Sequence, residues 1–237
     1  ESGLPVHLFD AMPSVGRKFL LAGKGGLNLT HSEALPAFVQ RYRERAVSVA
    51  AWLDVLLPDA LRAWAAGLGV DTFIGTSGRV FPKDLKAAPL LRAWLHRLRE
   101  RGVVFHMRHR WCGWGRDGAL LFKSPQGRVG VQQRAVVLAV GGASWPQLGS
   151  TGAWVPWLQE AGAQVAPLLP ANCGFDVTPP WSEHLRTRFA GAPIKPVVLR
   201  FEGFERQGEF VLSEYGVEGS LVYAASAPIR HAICAHG

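Results

Sequence analysis

Apolar side chains along this chain recur first with the texture of a strand and then at helical spacing. Residues 4–10, Leu-Pro-Val-His-Leu-Phe-Asp, form a short apolar run ending in an acid, the way a parallel strand finishes when its last side chain meets a ribose. From Leu35 to Gly67 the apolar positions Phe38, Val39, Tyr42, Val47, Val49, Trp52, Leu53, Leu56 and Leu57 follow a helical repeat. Pro58-Asp59 divides this stretch into two helices, and Gly67 or Gly69 ends the second. Val70 to Phe81 reads as strand punctuated by Gly75 and Gly78. The strongest amphipathic helix runs from about Lys86 to Arg101. It places Leu90, Leu91, Trp94, Leu95 and Leu98 on one face and Arg92, Arg97, Arg99, Glu100 and Arg101 on the others, with Gly102 as its stop.

Val103 to Met107, Ala119 to Phe122 and Val129 to Gln132 read as short strands, and Ala135 to Val140 as a fully apolar, buried one that runs into Gly141-Gly142. Residues 153–162 make another helix. Beyond it Pro167 to Pro180 is loop-rich, and Val197 to Phe201, Glu209 to Ser213 and Leu221 to Ala224 alternate like β-structure. A boundary near residue 165 follows, between an α/β domain over 1–165 and a β-rich one over 166–237.

With 237 residues and 48% apolar content, the chain can bury a genuine core, which excludes disordered and fibrous classes. Its 26 Lys+Arg against 18 Asp+Glu leave +8, a charge that suits nucleic acid, an anionic membrane or a phosphate-rich ligand. No stretch reaches the roughly 18 to 20 consecutive apolar residues of a membrane-spanning helix. No leader pattern opens the chain, so the expected location is the cytoplasm. Cys112, Cys173 and Cys234 fit neither a disulfide framework nor a CxxC pair and are expected to be reduced thiols.

Two segments carry chemistry. Residues 16–30 pack four glycines (Gly16, Gly23, Gly25, Gly26) and three cations (Arg17, Lys18, Lys24) into fifteen positions behind the acid-terminated strand. Glycines let backbone approach a ligand, and the cations neutralise phosphate or an anionic flavin ring. The segment is not a Walker A loop, because Gly-Lys-Gly-Gly lacks the Ser or Thr that binds magnesium. Residues 138–152 place Gly141-Gly142 at the carboxyl end of the apolar strand, the edge where open α/β sheets hold ligands. Elsewhere, His106, His109 and Cys112 sit on one expected strand, which turns His109 away from the other two, so no metal site is assigned. The Arg97 to Arg110 cluster, with Trp94 and Trp111 nearby, reads as the solvated basic face of a helix followed by a strand rather than a nucleic-acid surface. No GxSxG elbow offers a nucleophile.

The runs GRKFLLAGKGGLNLTHSE, SGRVFP with KAAPLLRAW behind it, LAVGGASWPQLGSTG, PANCGFDV and GEFVLSEYGVEGS occur in that order. In them the chain resembles the BaiN-type bacterial NAD(P)/FAD-dependent oxidoreductases, the aminoacetone/bile-acid-reductase-like flavoproteins, over essentially its whole length. The likeness is to the branch whose glycine loop reads GKGGLN where much of the family has GGGRCN. The resemblance implies a Rossmann-like, two-dinucleotide-fold FAD domain with a helical insertion, followed by part of an inserted β-rich domain that covers the flavin and shapes the substrate pocket. Residue by residue, it places Asp10 against the adenosine ribose and Arg17, Lys18, Gly25, Gly26 and Asn28 beside the pyrophosphate and isoalloxazine. It sets Gly141 and Gly142 at the turn bordering FAD and Trp111 where backbone meets the adenine. Gly149 to Gly152 and Cys173 match family motifs without an assigned role.

The same resemblance expects a GxGxxG pyrophosphate loop before Glu1, with Glu1 to Leu4 as the tail of the first helix, and a final flavin-contacting segment after Gly237. The function it implies is an FAD-dependent oxidoreductase that takes hydride from NAD(P)H and passes it to a small-molecule acceptor, an activated C=C bond for instance. The cofactor carries that chemistry, and no catalytic acid or base is named. Two other readings stand beside it: a truncated, non-catalytic fragment with weak or no FAD binding, and a basic nucleic-acid-binding module.

Overall fold

A computed structural model describes residues 3–23 and 25–236, so Glu1, Ser2 and Lys24, the third cation of the glycine-rich segment, lie outside the described residues. Gly3 and Leu4, the described part of the expected helix tail, are not helical. The chain divides into two compact units, Glu1–Val165 and Ala166–Gly237.

The first unit opens with β1 (His7–Asp10) and the short α1 (Arg17–Ala22), followed by β2 (Thr30–His31). Where two helices are expected between Leu35 and Gly67, three form: α2 (Leu35–Gln40), α3 (Ala46–Leu53) and α4 (Pro58–Ala66). The additional break falls at Arg43, whose φ of 49° leaves the helical region. Pro58 opens α4, where its missing N–H costs nothing and its ring presets φ. β3 (Thr72–Ile74) and β4 (Arg79–Pro82) then pair as a hairpin, with β2 on the other edge of β4.

The expected amphipathic helix is α5 (Ala87–Glu100), with Leu90 and Leu91 on its buried face. It ends in a Schellman motif: the Val103 N–H donates to the Leu98 carbonyl, the Gly102 N–H to Arg99, and Gly102 takes φ 79°, which costs a glycine nothing. β5 (Val104–Met107) lies parallel to β1, pairing His7 with Val104 and Asp10 with Met107. The crossover between these two strands holds α1 to α5, so the unit is built on a βαβ plan. Leu27, Ala65, Ala87 and Leu90 form a first core, flanked by Phe19, Leu29, Trp64, Leu68 and Val70.

β6 (Arg110–Trp114), β7 (Leu120–Ser124) and β8 (Gly127–Val131) make an antiparallel meander. The single strand expected through Trp111 is in fact β5 and β6, separated where Arg108 takes φ 59°. The turn brings the rings of His106 and His109 to 5.5 Å instead of pointing them apart. Trp111, Leu120 and Phe122 form a second core with Phe9, Trp114, Leu138, Val140, Trp154 and Trp157, the last two from the region of α6 (Val155–Glu160).

Residues 135–140 correct a sequence expectation. Leu138 and Val140 pack on the second core, but the segment forms no ladder with any described strand, and Val137 is 91% exposed. An apolar run becomes a buried strand only where another strand satisfies its backbone, and no described strand does so here.

In the second unit the short β9 (Phe175–Asp176) precedes α7 (Glu183–Phe189). β10 (Pro193–Phe201), β11 (Phe204–Leu212) and β12 (Gly216–Glu218) follow, and the sheet order is β10-β11-β12-β9. Leu221 to Ala224, expected as strand, lies instead in α8 (Ser220–His236). Leu221, Val222, Ala225 and Ser226 are its buried residues, and the i, i+4 pairs Leu221/Ala225 and Val222/Ser226 form a helical stripe. The chain is thus a mixed α/β protein with parallel and antiparallel sheets.

Candidate functional site

Backbone and side-chain contacts converge where β1 ends. The Asp10 side chain closes an Asx turn there: its Oδ1 accepts the Met12 N–H at 2.8 Å, and its Oδ2 has no partner among the described residues. The Met12 carbonyl accepts the Arg108 N–H and the Asp10 carbonyl the His109 N–H, tying the start of the loop to the end of β5.

The chain then enters α1 through Gly16, at φ 73°, and leaves it through Gly23. Both glycines are demanded by α5. A Cβ on Gly16 would come within 2.6 Å of Leu91, and one on Gly23 within 2.5 Å of the Ala87 Cβ and 3.2 Å of its backbone nitrogen. Beyond Lys24 the segment is pinned again, since the Leu27 N–H donates to the Leu85 carbonyl and the Leu29 N–H to Val80. Leu27 is buried in the first core while Gly25 and Asn28 are exposed. Nothing lies within 4 Å of where a Gly25 Cβ would stand. Its clearance is a space a ligand can use.

The Gly141-Gly142 turn is held from behind. Ser150, 5% exposed, donates its hydroxyl to the Gly142 carbonyl at 3.0 Å, and the Trp154 indole N–H donates to the Gly141 carbonyl at 2.9 Å. Gly141 takes φ 72°, and a Cβ on it would meet the Ser150 Oγ at 3.0 Å, whereas one on Gly142 would meet nothing within 4 Å. With both carbonyls engaged, the N–H groups of Gly141, Gly142 and Ala143 make no hydrogen bond to any described residue. A run of unpaired N–H groups on a glycine turn is an anion-binding feature.

Two contacts join this turn to the loop after β1. Gly149, at φ 97°, approaches so closely that a Cβ would stand 2.8 Å from the Met12 side chain. Lys18 Nζ donates to Ser144 Oγ at 3.0 Å across 126 residues of sequence. Among the described residues neither Arg17 nor Lys18 is paired with a carboxylate. Arg17 reaches Ser14 only at 3.4 Å, and its Nε is buried without a partner. A half-buried guanidinium with an orphaned N–H, beside a second unpaired cation, is what a bound anion would satisfy.

Of the residues expected at a cofactor, Lys18 reaches the Gly141-Gly142 turn through Ser144, while the Asp10 and Arg17 side chains contact Met12 and Ser14 in the loop after β1. Gly25, Gly26 and Asn28 lie in a segment anchored on Leu85 and β4. The Trp111 side chain is buried in the second core, edge-on to Trp114 and Trp157, in a cluster that includes Phe9, Leu138 and Val140. Sequence reasoning missed Ser144 and Ser150, whose partners are set by the fold and leave no local spacing signal. The histidines adjoin on another face of β1 and β5: His7 Nδ1 and His106 Nε2 are 2.9 Å apart, and His106 stacks on Phe9. Burial holds the His106 imidazole below its ordinary pKa, with repulsion from His7 and then His109 adding to it. Among the described residues no group of acidic, His or Cys side chains is arranged to hold a metal, and no helix is long and apolar enough to cross a membrane. The arginine cluster is partly committed within the fold, Arg97 to the Gly67 carbonyl and Arg99 over the Phe105 ring at 5.2 Å.

Comparison with protein families matches the HI0933-like protein Rossmann domain over residues 1–225. Comparison with curated proteins gives no match.

Proposed function

Because the chain belongs to the HI0933-like Rossmann-domain family, the family of the BaiN-type flavoproteins, we propose that it binds FAD at the loops after β1 and serves an FAD-dependent oxidoreductase. NAD(P)H is the proposed electron donor and a small organic molecule, such as one with an activated C=C bond, the acceptor. The observation that carries this reading is the contact of Lys18, a cation with no carboxylate partner, with a glycine turn whose N–H groups are free, next in sequence to an Arg17 whose Nε is buried without a partner.

The residues fit the group. Arg17 and Lys18 supply positive charge to the pyrophosphate, and the N–H groups of Gly141 and Gly142 supply donors that cost no side-chain entropy. The free Asp10 carboxylate oxygen accepts from a ribose hydroxyl, and the Asx turn with Met12 fixes that carboxylate in advance. A Cβ on Gly142 or on Gly25 would meet nothing within 4 Å, and that open space leaves room for a ring or a phosphate. When bound, the flavin supplies hydride and electron transfer between donor and acceptor, and the protein contributes binding, orientation and charge.

The test is reconstitution. The full chain, incubated with excess FAD and passed through a desalting column, is expected to retain the visible flavin band in proportion to protein. Protein that elutes colourless overturns the reading.

A further inference from the structure

Lys18 is a long, flexible cation that would ordinarily sample several rotamers, each with its charge in a different place. Here its ammonium is held by the Ser144 hydroxyl, three positions beyond Gly141. A serine hydroxyl has two lone pairs and one hydrogen, and an ammonium has three hydrogens. The bond uses one lone pair and one of the three, leaving the Ser144 O–H and two Lys18 N–H groups with no acceptor among the described residues. Ser144 directly follows Gly141, Gly142 and Ala143, whose N–H groups are unpaired among the described residues. Three kinds of donor thus belong to one turn and the cation bound to it, and none of them is paired with a carboxylate among the described residues.

We infer that Ser144 is a positioning residue of this site, one that aims the Lys18 ammonium at a bound phosphate. The inference rests on the FAD reading above and adds to it a residue and a ligand group: the diphosphate, rather than the ring, is what Ser144 and Lys18 recognise together. A bare hydroxyl on an exposed turn contributes little. Coupled to a cation it contributes a charge-assisted bond and spares the lysine part of its ordering cost on binding.

The test is a double-mutant cycle on the full chain, read as FAD affinity by quenching of flavin fluorescence. Ser144→Ala is expected to weaken binding about fivefold, the size of one charge-assisted hydrogen bond discounted for exposure. Lys18→Met should weaken it more, about tenfold to thirtyfold, and the double variant should match Lys18→Met alone because the hydroxyl acts mainly through the cation. Ser144→Thr, which keeps the hydroxyl, should restore most of the affinity. The deficit of Ser144→Ala should also shrink as salt is raised, since the wild-type attraction to phosphate is screened. Far-UV circular dichroism checks that each variant is folded. Losses that multiply in the double variant, or Ser144→Ala binding as tightly as wild type, overturn the inference while leaving FAD binding intact. Wild-type chain that binds no FAD overturns both.

Discussion

Replacing Gly23 by alanine should destabilise the first unit, and the geometry sets the size. The backbone at Gly23 has φ −84° and ψ 2°, which any residue adopts, so no conformational strain enters. The added methyl would stand 2.5 Å from the Ala87 Cβ and 3.2 Å from the Ala87 nitrogen, where carbon atoms normally rest near 3.5 to 4.0 Å. Ala87 is 4% exposed and sits in the first core, so it has no open space to retreat into. Helices α1 and α5 must therefore separate by roughly 1 Å along this line, an overpacking of the kind that costs about 1–3 kcal/mol. For a domain of this size that lowers the melting midpoint by about 2–4 °C per kcal/mol. Gly25→Ala is the control: nothing lies within 4 Å of its Cβ, so the change should stay within about 0.5 kcal/mol. Thermal unfolding followed by tryptophan fluorescence compares the two. A Gly23→Ala protein that melts within a degree of wild type, or no lower than Gly25→Ala does, refutes the claim that this glycine is where the glycine-rich segment leans on α5.

Three further predictions concern the site and the cores. Arg17→Met should cut FAD affinity about tenfold, as expected for losing a half-buried charge-assisted contact, while Arg17→Lys keeps part of it; titration at low and high salt measures both. Trp111→Ala should cost about 3–5 kcal/mol, because it empties the centre of the second core, and denaturant unfolding reads that directly. His106 bears on pH: its folded pKa lies below the ordinary 6.5, so the unfolded chain takes up the proton first as pH falls. Stability from this group is complete above about pH 6.5 and is lost on acidification through the folded value, and His106→Gln should flatten that slope in melting midpoints measured across the range.

Local signals were legible in the sequence and distant ones were not. The stop of α5 at Gly102 was legible because a Schellman motif is written in consecutive residues, and Pro58 opened α4 because proline's φ is fixed wherever it stands. Leu221 to Ala224 was misread because four apolar residues fit a strand and a helix equally well until their burial is known. α7 escaped notice although Ser182 caps it by accepting the Leu185 N–H, a signal hidden among prolines. Residues 135–140 carry the composition of a buried strand, yet composition says nothing of a partner. At the site, glycines and cations announced themselves, as did Asp10 at the end of β1. Ser144 and Ser150 did not, because a serine's role is decided by what the fold brings to it from 126 residues away in one case and from the facing carbonyl in the other.

The proposed place for FAD is the loop after β1 together with the turn at Gly141-Gly142. Hydrogen–deuterium exchange of the full chain with and without FAD locates it most directly. Slowed exchange is expected in residues 10–28 and 138–152, strongest at the N–H groups of Gly141 to Ser144, with unchanged exchange in the meander of β6 to β8. Protection that falls on β10 to α8 instead, or none at saturating FAD, would contradict that placement.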